Sequence, residues 1–289
     1  MQYTNRHGLQ KPIYDAILNH DYDNPDGYSI SRLISPAYQG RLIKEFRDEI
    51  TVDVADSIWA LLGASVHSVI EKAGTDIVKE LRVYKQFDTA LVSGKADYYD
   101  PVAKELLDFK VTSKFATKYG KVKPEWKQQL NILAYLFESI GLQVNRIAIL
   151  AILRDWSNSD RYKHDFPDVP FMKLDVPKWD SSKTEAFILT RVSAHKYAET
   201  MPISIQTPCS PEERWQSEHV FAVRKNANTK ADKLCETYEE AIAYCTERKK
   251  PVGSAMSQFS IEERPGVDRR CADYCSVKKY CTYARENGY

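Results

Sequence analysis

The sequence predicts an α/β fold in which a central mixed β-sheet is flanked by helices. Three observations lead to this prediction. Helical periodicity precedes and follows a group of short β-rich runs, and an almost wholly apolar run, "VNRIAILAILRDW" at 144–156, comes last. The resulting order of helix, three strands, helix and strand is typical of an α/β core with a mixed sheet.

The first part of the chain leads into that core. Residues 1–27 mix Pro, Asp, Asn and His, which predicts an irregular lead-in, and residues 28–49 predict a Ser-rich turn followed by a helix. Apolar residues then recur at helical spacing over 54–72, so we expect a helix with one buried face. Its apolar positions are Ile58, Leu61, Leu62, Val66, Val69 and Ile70.

Short strands follow that helix. The segment 80–100 contains β-rich runs that break near Asp88 and at Ser93–Gly94, which indicates a hairpin. The run "KELLDFKVT" at 104–112 continues the pattern as a third strand. A three-stranded meander is the simplest arrangement of these runs.

A helix and a strand then complete the central pattern. The segment 123–141 has apolar residues at helical spacing and ends at Gly141, a residue type favoured just beyond helix C-termini. The run 144–156 is apolar on both faces, as expected of a strand that is covered on both sides.

The remaining residues predict the end of the core and a tail. Residues 156–180 are polar, and 182–201 predict an amphipathic helix. We place the core at 28–205 and expect 206–289 to form a tail packed on it. The tail begins with a hairpin that turns at Asn226–Asn228, continues with a helix and ends in a cysteine cluster.

Composition limits the partners and the compartment. The 41 basic and 40 acidic residues give a net charge of +1, so a nucleic acid would be bound by a local groove rather than by the overall field. No run of about 18 apolar residues is present, and the N-terminus does not resemble a signal peptide. We therefore expect a cytoplasmic protein with no membrane partner.

Asp108 and Lys110 lie two apart on a predicted strand and so share one face. Alone, such a pair is most often a solvent-facing salt bridge. Asp97, however, ends the preceding strand and could converge with Asp108, and two facing carboxylates repel unless a cation joins them. Mg²⁺ or Mn²⁺ would remove that repulsion and leave positions for water and phosphate, as in a nuclease. Lys110 would then stabilise charge on the phosphate.

Four motifs place this pair in a wider pattern: "GASVH" ending at His67, "SGKAD" ending at Asp97, "LLDFK" with Asp108 and Lys110, and "QQLNILAYL" with Gln129. Over roughly residues 28–155, they resemble the motifs of the RecB-like nucleases of the PD-(D/E)XK superfamily.

The resemblance implies a restriction-endonuclease-like core and a set of site residues. His67, Asp97, Asp108 and the backbone carbonyl of Phe109 would be the metal ligands. Asp108, Lys110 and Gln129 would be the catalytic residues. Outside such a pattern, a single histidine is more often a core or surface residue than a ligand.

One position departs from the family. The motif glutamine is commonly followed four residues later by a tyrosine, whereas Leu133 occupies that position here and the nearest tyrosine is Tyr135. Gln128 lies seven residues before Tyr135, two helical turns away on the same face, so Gln128 is an alternative to Gln129.

The tail contains the motif "CADYCSVKKYC", with Cys271, Cys275 and Cys281. Three thiols this close in an intracellular chain predict a metal site, with buried small hydrophobic residues as the alternative. Cys209, on a Pro-flanked loop, is the candidate fourth ligand. The other two cysteines, Cys235 and Cys245, are expected in the core of the tail.

The three-cysteine tail resembles the C-terminal end of the iron–sulfur staple in the AddB nuclease domain and in CRISPR-associated RecB-like nucleases. That resemblance implies a [4Fe–4S] cluster. In those families the remaining cysteine precedes the nuclease motifs, whereas all six cysteines of this chain follow residue 200. The staple would therefore be rearranged, and Zn²⁺ bound by four cysteines is the alternative.

The predicted function is a metal-dependent DNA nuclease, an exonuclease rather than an endonuclease, acting on single-stranded DNA or DNA ends. The resemblance implies a role in recombination, repair or phage DNA metabolism, with recombination or replication proteins as partners and a phage gene in a bacterial host as one origin. The basic and aromatic segment 113–127 would suit a single strand, or else is an ordinary solvated loop. The rival functions are an inactive nucleic-acid-binding or scaffold protein that keeps the fold, and a structural zinc protein in which His67, Asp97 and Asp108 do not meet.

Overall fold

The computed structural model describes residues 1–19, 26–73, 81–87, 89–164, 166–225, 228–247 and 259–289. The chain divides into two compact units, residues 1–207 and residues 208–289, which are described one after the other. None of the helices in these described ranges is long and apolar enough to cross a lipid bilayer.

The first unit is a mixture of strands and helices. Its elements, in chain order, are β1 (Gln2–Thr4), α1 (Lys11–Leu18), β2 (Tyr28–Ser29), α2 (Ile30–Ile34), α3 (Ala37–Glu45), β3 (Thr51–Asp53), α4 (Ile58–Lys72), β4 (Leu81–Phe87), β5 (Ala90–Ala96), β6 (Tyr98–Asp100), β7 (Glu105–Thr112), α5 (Pro124–Ser139), β8 (Arg146–Leu153), β9 (Phe171–Val176) and α6 (Ser181–Thr200). The predicted α/β class is confirmed.

The largest sheet of this unit is mixed, in the order β6-β7-β8-β9. β7 and β8 pair in parallel, from Glu105 opposite Arg146 to Thr112 opposite Leu153, and the two edge strands are antiparallel to their neighbours. Parallel neighbours need a crossover connection, and α5 provides it between β7 and β8. A second sheet, in the order β2-β5-β4, contains the predicted hairpin of β4 and β5.

Helix α5 and strand β8 supply much of the core. Leu130, Leu133 and Phe137 are each at most 1% exposed, which confirms the apolar face predicted for this helix. Gly141 has φ of +87° and its N–H donates to the Glu138 carbonyl, while the next N–H reaches Phe137. A left-handed residue with these bonds is a glycine cap, as predicted.

The predicted meander is wrong. β5 runs unbroken through Ser93–Gly94, and β7 pairs with β6 and β8. The predicted break at Asp88 lies outside the described residues. Gly94 lies inside the strand, and its lack of a side chain makes room for two helices. A Cβ at this position would lie 2.4 Å from Ile30 Cδ1 and 2.9 Å from Leu133 Cδ1.

Three further elements differ from the expectations. Residues 1–27 are not wholly irregular, since they include β1 and α1. Helix α4 begins at Ile58, after a 3₁₀ turn, and has no fully buried residue, so its predicted buried face is wrong. β9 was not predicted within 156–180, because it is a short run inside a mostly polar segment and only Leu174 and Val176 are fully buried.

The second unit contains β10 (Val220–Lys225), β11 (Lys233–Cys235), α7 (Tyr238–Glu247), β12 (Phe259–Arg264) and α8 (Thr282–Glu286). The hairpin of β10 and β11 is confirmed, and the unpredicted β12 completes a sheet in the order β11-β10-β12. Residues 226–227, in the predicted turn, lie outside the described residues. Cys235 and Cys245 are buried with Val223 and Phe259, which confirms them as core residues.

Candidate active site

Strand β7 places Asp108 and Lys110 on the same face, two residues apart. Asp108 is only 3% exposed, and Lys110 Nζ lies 2.8 Å from Asp108 Oδ2. The pair is therefore not the solvent-facing salt bridge that isolated D-x-K triplets usually form. A buried carboxylate needs further partners, because burial alone penalises its charge.

Asp97 lies at the bend between β5 and β6. Tyr98 of β6 is opposite Leu107 of β7, and the same antiparallel register brings Asp97 beside Asp108. Asp97 Oδ2 accepts a hydrogen bond of 2.8 Å from the Phe109 backbone N–H. The main chain of β7 thus holds the Asp97 carboxylate at the site, and the role of the Phe109 carbonyl as a ligand stays a prediction.

His67 reaches this site from α4, which contacts β7. Its Nδ1 lies 3.3 Å from Asp97 Oδ1, and its ring is edge-on to Phe109 at a centroid distance of 6.4 Å. The hydrogen bond to Asp97 raises the pKa of the His67 imidazole, although burial opposes that shift. His67 is thus directed at the carboxylates rather than into the core.

Gln129 reaches the same pair from α5. Its Oε1 accepts a hydrogen bond of 3.1 Å from Lys110 Nζ, and its Nε2 donates one of 2.8 Å to Asp108 Oδ1. Both ends of the amide are used, which fixes the ammonium and the carboxylate relative to each other.

Leu133, at the position where a tyrosine was expected, and Tyr135, the nearest tyrosine, have different surroundings. Tyr135 Oη accepts a hydrogen bond of 3.1 Å from Lys85 Nζ on β4, and its ring stacks on Phe87. Leu133 is a core residue. Between Gln128 and Gln129, it is the Gln129 side chain that contacts Asp108 and Lys110.

Burial dominates the electrostatics of Asp108. It raises the pKa of that carboxyl to about 6, even though Lys110 favours the ionised form, and the nearby Asp97 raises the pKa further. No hydrogen-bond donor among the described residues is aligned with Asp108 Oδ2, whose neighbour Lys110 makes an ion pair only. A divalent cation at Asp108 Oδ2 would therefore share this oxygen with the Lys110 ammonium or displace it.

The side chains suit a hard divalent cation chemically. Two carboxylates are the ligands that Mg²⁺ and Mn²⁺ prefer, and an imidazole can add a nitrogen ligand. In the structure these groups pair with each other and with Lys110. Within the described ranges no set of three or more His, Cys, Asp or Glu side chains is already arranged in metal-binding geometry.

Only some of the aromatic and basic side chains of the segment 113–127 are exposed to solvent. Phe115 is 64% exposed and packs edge-on against Phe166, while Trp126 is half-buried against the core. Lys114 is bound to the buried Asp160. The side chain of Tyr119 lies outside the described parts of the chain.

Trp59 and Arg154 were missed from the sequence. Trp59 is on α4, eight residues before His67, and is 57% exposed. The Arg154 guanidinium lies over its ring, 4.0 Å from the centroid. Helical spacing puts Trp59 near the face of His67, but its partner comes from the end of β8, 95 positions away, which no local pattern indicates.

In the second unit, Cys275 and Cys281 are close enough to Cys271 to affect its electrostatics. Cys271 is buried, and burial raises the pKa of its thiol to about 11, with Asp268, Cys275 and Cys281 adding to the effect. None of the six cysteines, all of which lie in the described ranges, forms a disulfide bond.

Cys209 is linked to the same segment through Arg214. The Arg214 guanidinium donates to the Cys209 carbonyl and pairs with Asp268 at 3.0 Å. The backbone N–H of Arg270 donates to the Arg214 carbonyl at 3.0 Å. The loop with Cys209 therefore lies alongside the chain that leads into Cys271.

No family model and no curated protein matches this sequence. Five chains of known structure match this chain, among them two crystal structures. The crystal structure of SSO0001 is 16% identical, has a TM-score of 0.45, and the match covers 70% of this chain and 87% of that one. A phage-related exonuclease from Haemophilus somnus 129PT is 15% identical, has a TM-score of 0.29, and the match covers 65% and 79%. Both TM-scores are below 0.5, so neither similarity assigns a function to this chain.

Proposed function

We propose that this protein is a divalent-metal-dependent DNA nuclease that hydrolyses phosphodiester bonds. The main support is the convergence of five polar side chains from α4, the β5–β6 bend, β7 and α5: His67, Asp97, Asp108, Lys110 and Gln129. Stability does not explain such a cluster, because buried ionic groups are often no better for stability than apolar residues of similar size.

His67, Asp97 and Asp108 would hold Mg²⁺ or Mn²⁺, with the Phe109 carbonyl as a further ligand. The bound ion would activate a water molecule and neutralise charge on the phosphate. The two carboxylates already face partners that can carry positive charge, since Asp97 pairs with His67 and Asp108 with Lys110. A divalent cation would therefore replace positive charge that the site already requires.

Lys110 would act on the substrate directly. About a quarter of its side chain, 24%, is exposed, and Asp108 and Gln129 hold its ammonium at the site. There it can donate to a phosphate oxygen and stabilise the charge that develops as the bond breaks. Gln129 is a positioning residue, because it acts through Lys110 and Asp108.

The test is degradation of end-labelled single- and double-stranded DNA in Mg²⁺, Mn²⁺ or EDTA. Asp108→Asn preserves the size of a buried side chain, and Lys110→Met removes mainly the charge. We expect each change to lower the rate by on the order of 100-fold or more, and EDTA to abolish cleavage. Asp175→Asn, an exposed position of β9 in the same sheet, is the matched control and should cleave like the wild type.

Equal rates for the wild type and both site variants would refute the assignment. Metal-independent DNA binding without cleavage by the folded wild type would instead favour the inactive binding protein.

We further propose that the enzyme is an exonuclease that works from DNA ends. Linear single-stranded DNA should be degraded while a circle of the same sequence survives. Cleavage of the circle at a comparable rate would identify an endonuclease.

For the tail, we propose that Cys209, Cys271, Cys275 and Cys281 bind a structural metal centre, a [4Fe–4S] cluster or, as the alternative, Zn²⁺. The proximity of three of these thiols and the link from Cys209 through Arg214 support the proposal. Thiols must lose their protons to bind a metal, so the raised pKa of Cys271 makes binding dependent on the positive charge of the metal itself.

A further inference from the structure

Two side chains of helix α4 contact the strands beside it or the residues that follow them. His67 contacts Asp97 and packs edge-on against Phe109. Eight residues earlier, Trp59 lies under Arg154, which follows β8. The backbone N–H of Arg154 donates to the carbonyl of Thr112, the last residue of β7.

These two contacts fix the direction of α4. The start of the helix lies at the C-terminal end of β7, and His67 lies at the middle of that strand. The helix therefore runs antiparallel to β7, and the stretch between its two contacts is about 12 Å long at the rise of an α-helix.

Trp59 and Arg154 together present an apolar ring and a cation. The Trp59 side chain is 57% exposed, although indole is one of the largest apolar surfaces that a residue can bury. The exposed Arg154 supplies positive charge directly at this ring. An exposed aromatic ring beside a guanidinium is the combination that binds unpaired bases and their phosphates.

Gly63 lies midway between the two contacts on the same face, four residues from Trp59 and four from His67. A Cβ built on Gly63 would meet no atom of the described chain within 4 Å beyond its own helix backbone and chain neighbours. Packing thus gives no reason for a glycine there, although glycine in a helix interior is less favourable than alanine. Its effect is to leave a gap between Trp59 and His67.

We infer that Trp59, Gly63 and His67 form one wall of a binding groove for single-stranded DNA, called here the α4 wall. Trp59 stacks on a base, Gly63 lets the sugar–phosphate backbone approach the helix, and Arg154 and Lys110 contact phosphates. The occupant is a single strand because the bases of a duplex are already stacked on each other. This inference rests on the proposed nuclease function, since the groove leads the strand to the same site.

The length of the wall sets the size of the contact. About 12 Å corresponds to roughly three nucleotides at the 3.4 Å spacing of a stacked strand. A shorter substrate would not extend from His67, which contacts the site, to Trp59. Binding and cleavage should therefore depend on Trp59 only for strands of at least this length.

The first test measures binding of a fluorescently labelled dT12 by anisotropy in EDTA, so that cleavage plays no part. We expect Trp59→Ala to weaken binding about 5- to 100-fold, the effect of losing one base–aromatic stack, and Trp59→Tyr to restore most of it. Gly63→Leu should weaken binding at least tenfold by filling the gap.

Two variants serve as matched controls and should bind like the wild type. Gly40→Leu changes a glycine of α3 that also has open space around it, and Tyr197→Ala removes an exposed ring of α6. Circular dichroism of every variant shows whether it is folded.

The second test compares cleavage of dT12 with cleavage of the dinucleotide TpT. The ratio of kcat/KM for dT12 to that for TpT should fall at least tenfold in Trp59→Ala and in Gly63→Leu. A change that only damaged the metal site would lower both values together.

Wild-type affinity in folded Trp59→Ala and Gly63→Leu, or tighter binding of duplex DNA or of U12 RNA than of dT12, would overturn the inference. The two proposals can fail separately. A wild type that binds dT12 through Trp59 and cleaves nothing would refute the nuclease function and leave the groove in place.

Discussion

His195 shows how a single buried residue joins two elements of the first unit. It is 4% exposed, and its Nε2 lies 3.1 Å from the Leu33 carbonyl, which also accepts a hydrogen bond from Arg191. Burial lowers the pKa of the His195 imidazole, and the nearby Arg191 and Arg32 lower it too, although the Leu33 carbonyl and Glu199 oppose them. The His195 side chain therefore joins α6 to α2 through the Leu33 carbonyl.

This shift predicts a loss of stability in mild acid. Above the unfolded pKa of about 6.5 the residue is neutral in both states, so it adds no pH dependence. Below it the unfolded chain takes up a proton that the folded chain resists, so the free energy of unfolding falls as pH falls towards the lowered folded pKa. His195→Gln can still donate to Leu33 but does not titrate.

Urea unfolding at pH 8, 6 and 5 checks this prediction. The difference in unfolding free energy between wild type and His195→Gln should shrink as the pH falls. A difference that is independent of pH would show that His195 does not resist protonation.

The packing of helices on β5 depends on a position without a side chain. Gly94 is in the middle of β5, and α2 and α5 approach it with Ile30 and Leu133. Leu133 is one helical turn beyond Gln129, so the packing that positions α5 also sets the height at which Gln129 meets β7. The core thus accounts for the leucine at position 133.

Two glycine-to-alanine changes should have opposite effects on stability. Gly94→Ala places a methyl group 2.4 Å from Ile30 Cδ1, and overpacking of this kind lowers the free energy of unfolding by about 1–3 kcal/mol. Gly63→Ala fills open space in a helix and should raise it by about 0.5–1 kcal/mol. Thermal or urea unfolding of both variants and the wild type measures these changes in the free energy of unfolding. Gly40→Ala, also in a helix, is a further control.

Equal destabilisation by Gly94→Ala and Gly63→Ala would contradict the packing described for both positions. It would show in particular that the space beside Gly63 is filled in solution.

At the scale of the whole molecule, the candidate active-site residues and the cysteines lie in different units. The carboxylates and Lys110 belong to residues 1–207, and all six cysteines belong to residues 208–289. Asp268 and Arg214 form a buried ion pair in the second unit, and Tyr283 Oη donates to Asp268 at 2.7 Å. This network ties the cysteine segment to α8 and to the loop of Cys209.

A metal centre in the second unit predicts a defined metal content. Anaerobically purified protein should contain about four Fe per chain with broad visible absorbance, or one Zn per chain and no colour. Cys275→Ser should lose the metal and unfold at a lower temperature, because metal binding stabilises only the folded chain. Cys245→Ser, in the core of the same unit, is the control and should keep its metal.

Metal-free protein with the same thermal stability in the wild type and Cys275→Ser would contradict the proposal. The four cysteines would then be ordinary thiols, Cys271 buried and the other three half-buried.

Much of the site was predictable because its residues lie in short local patterns. The alternation of "LLDFK" places Asp108 and Lys110 on one face, and the helical periodicity of 123–141 positions Gln129 near the core. Elements with long-range partners were not predictable. β1 has three residues and pairs with a strand almost 50 residues later, and β9 is recognisable only beside β8.

By itself, the sequence determined the α/β class, the main helices and strands, and the identity of the polar residues at the site. These follow from periodicity and from short motifs, which depend only on neighbouring residues. The tertiary structure alone decided that β7 pairs with β6 and β8, that Gln129 rather than Gln128 contacts Asp108, and that Arg154 covers Trp59. Each of these is a contact between segments distant in the chain, and such contacts are set by the packing of the whole core rather than by local propensity.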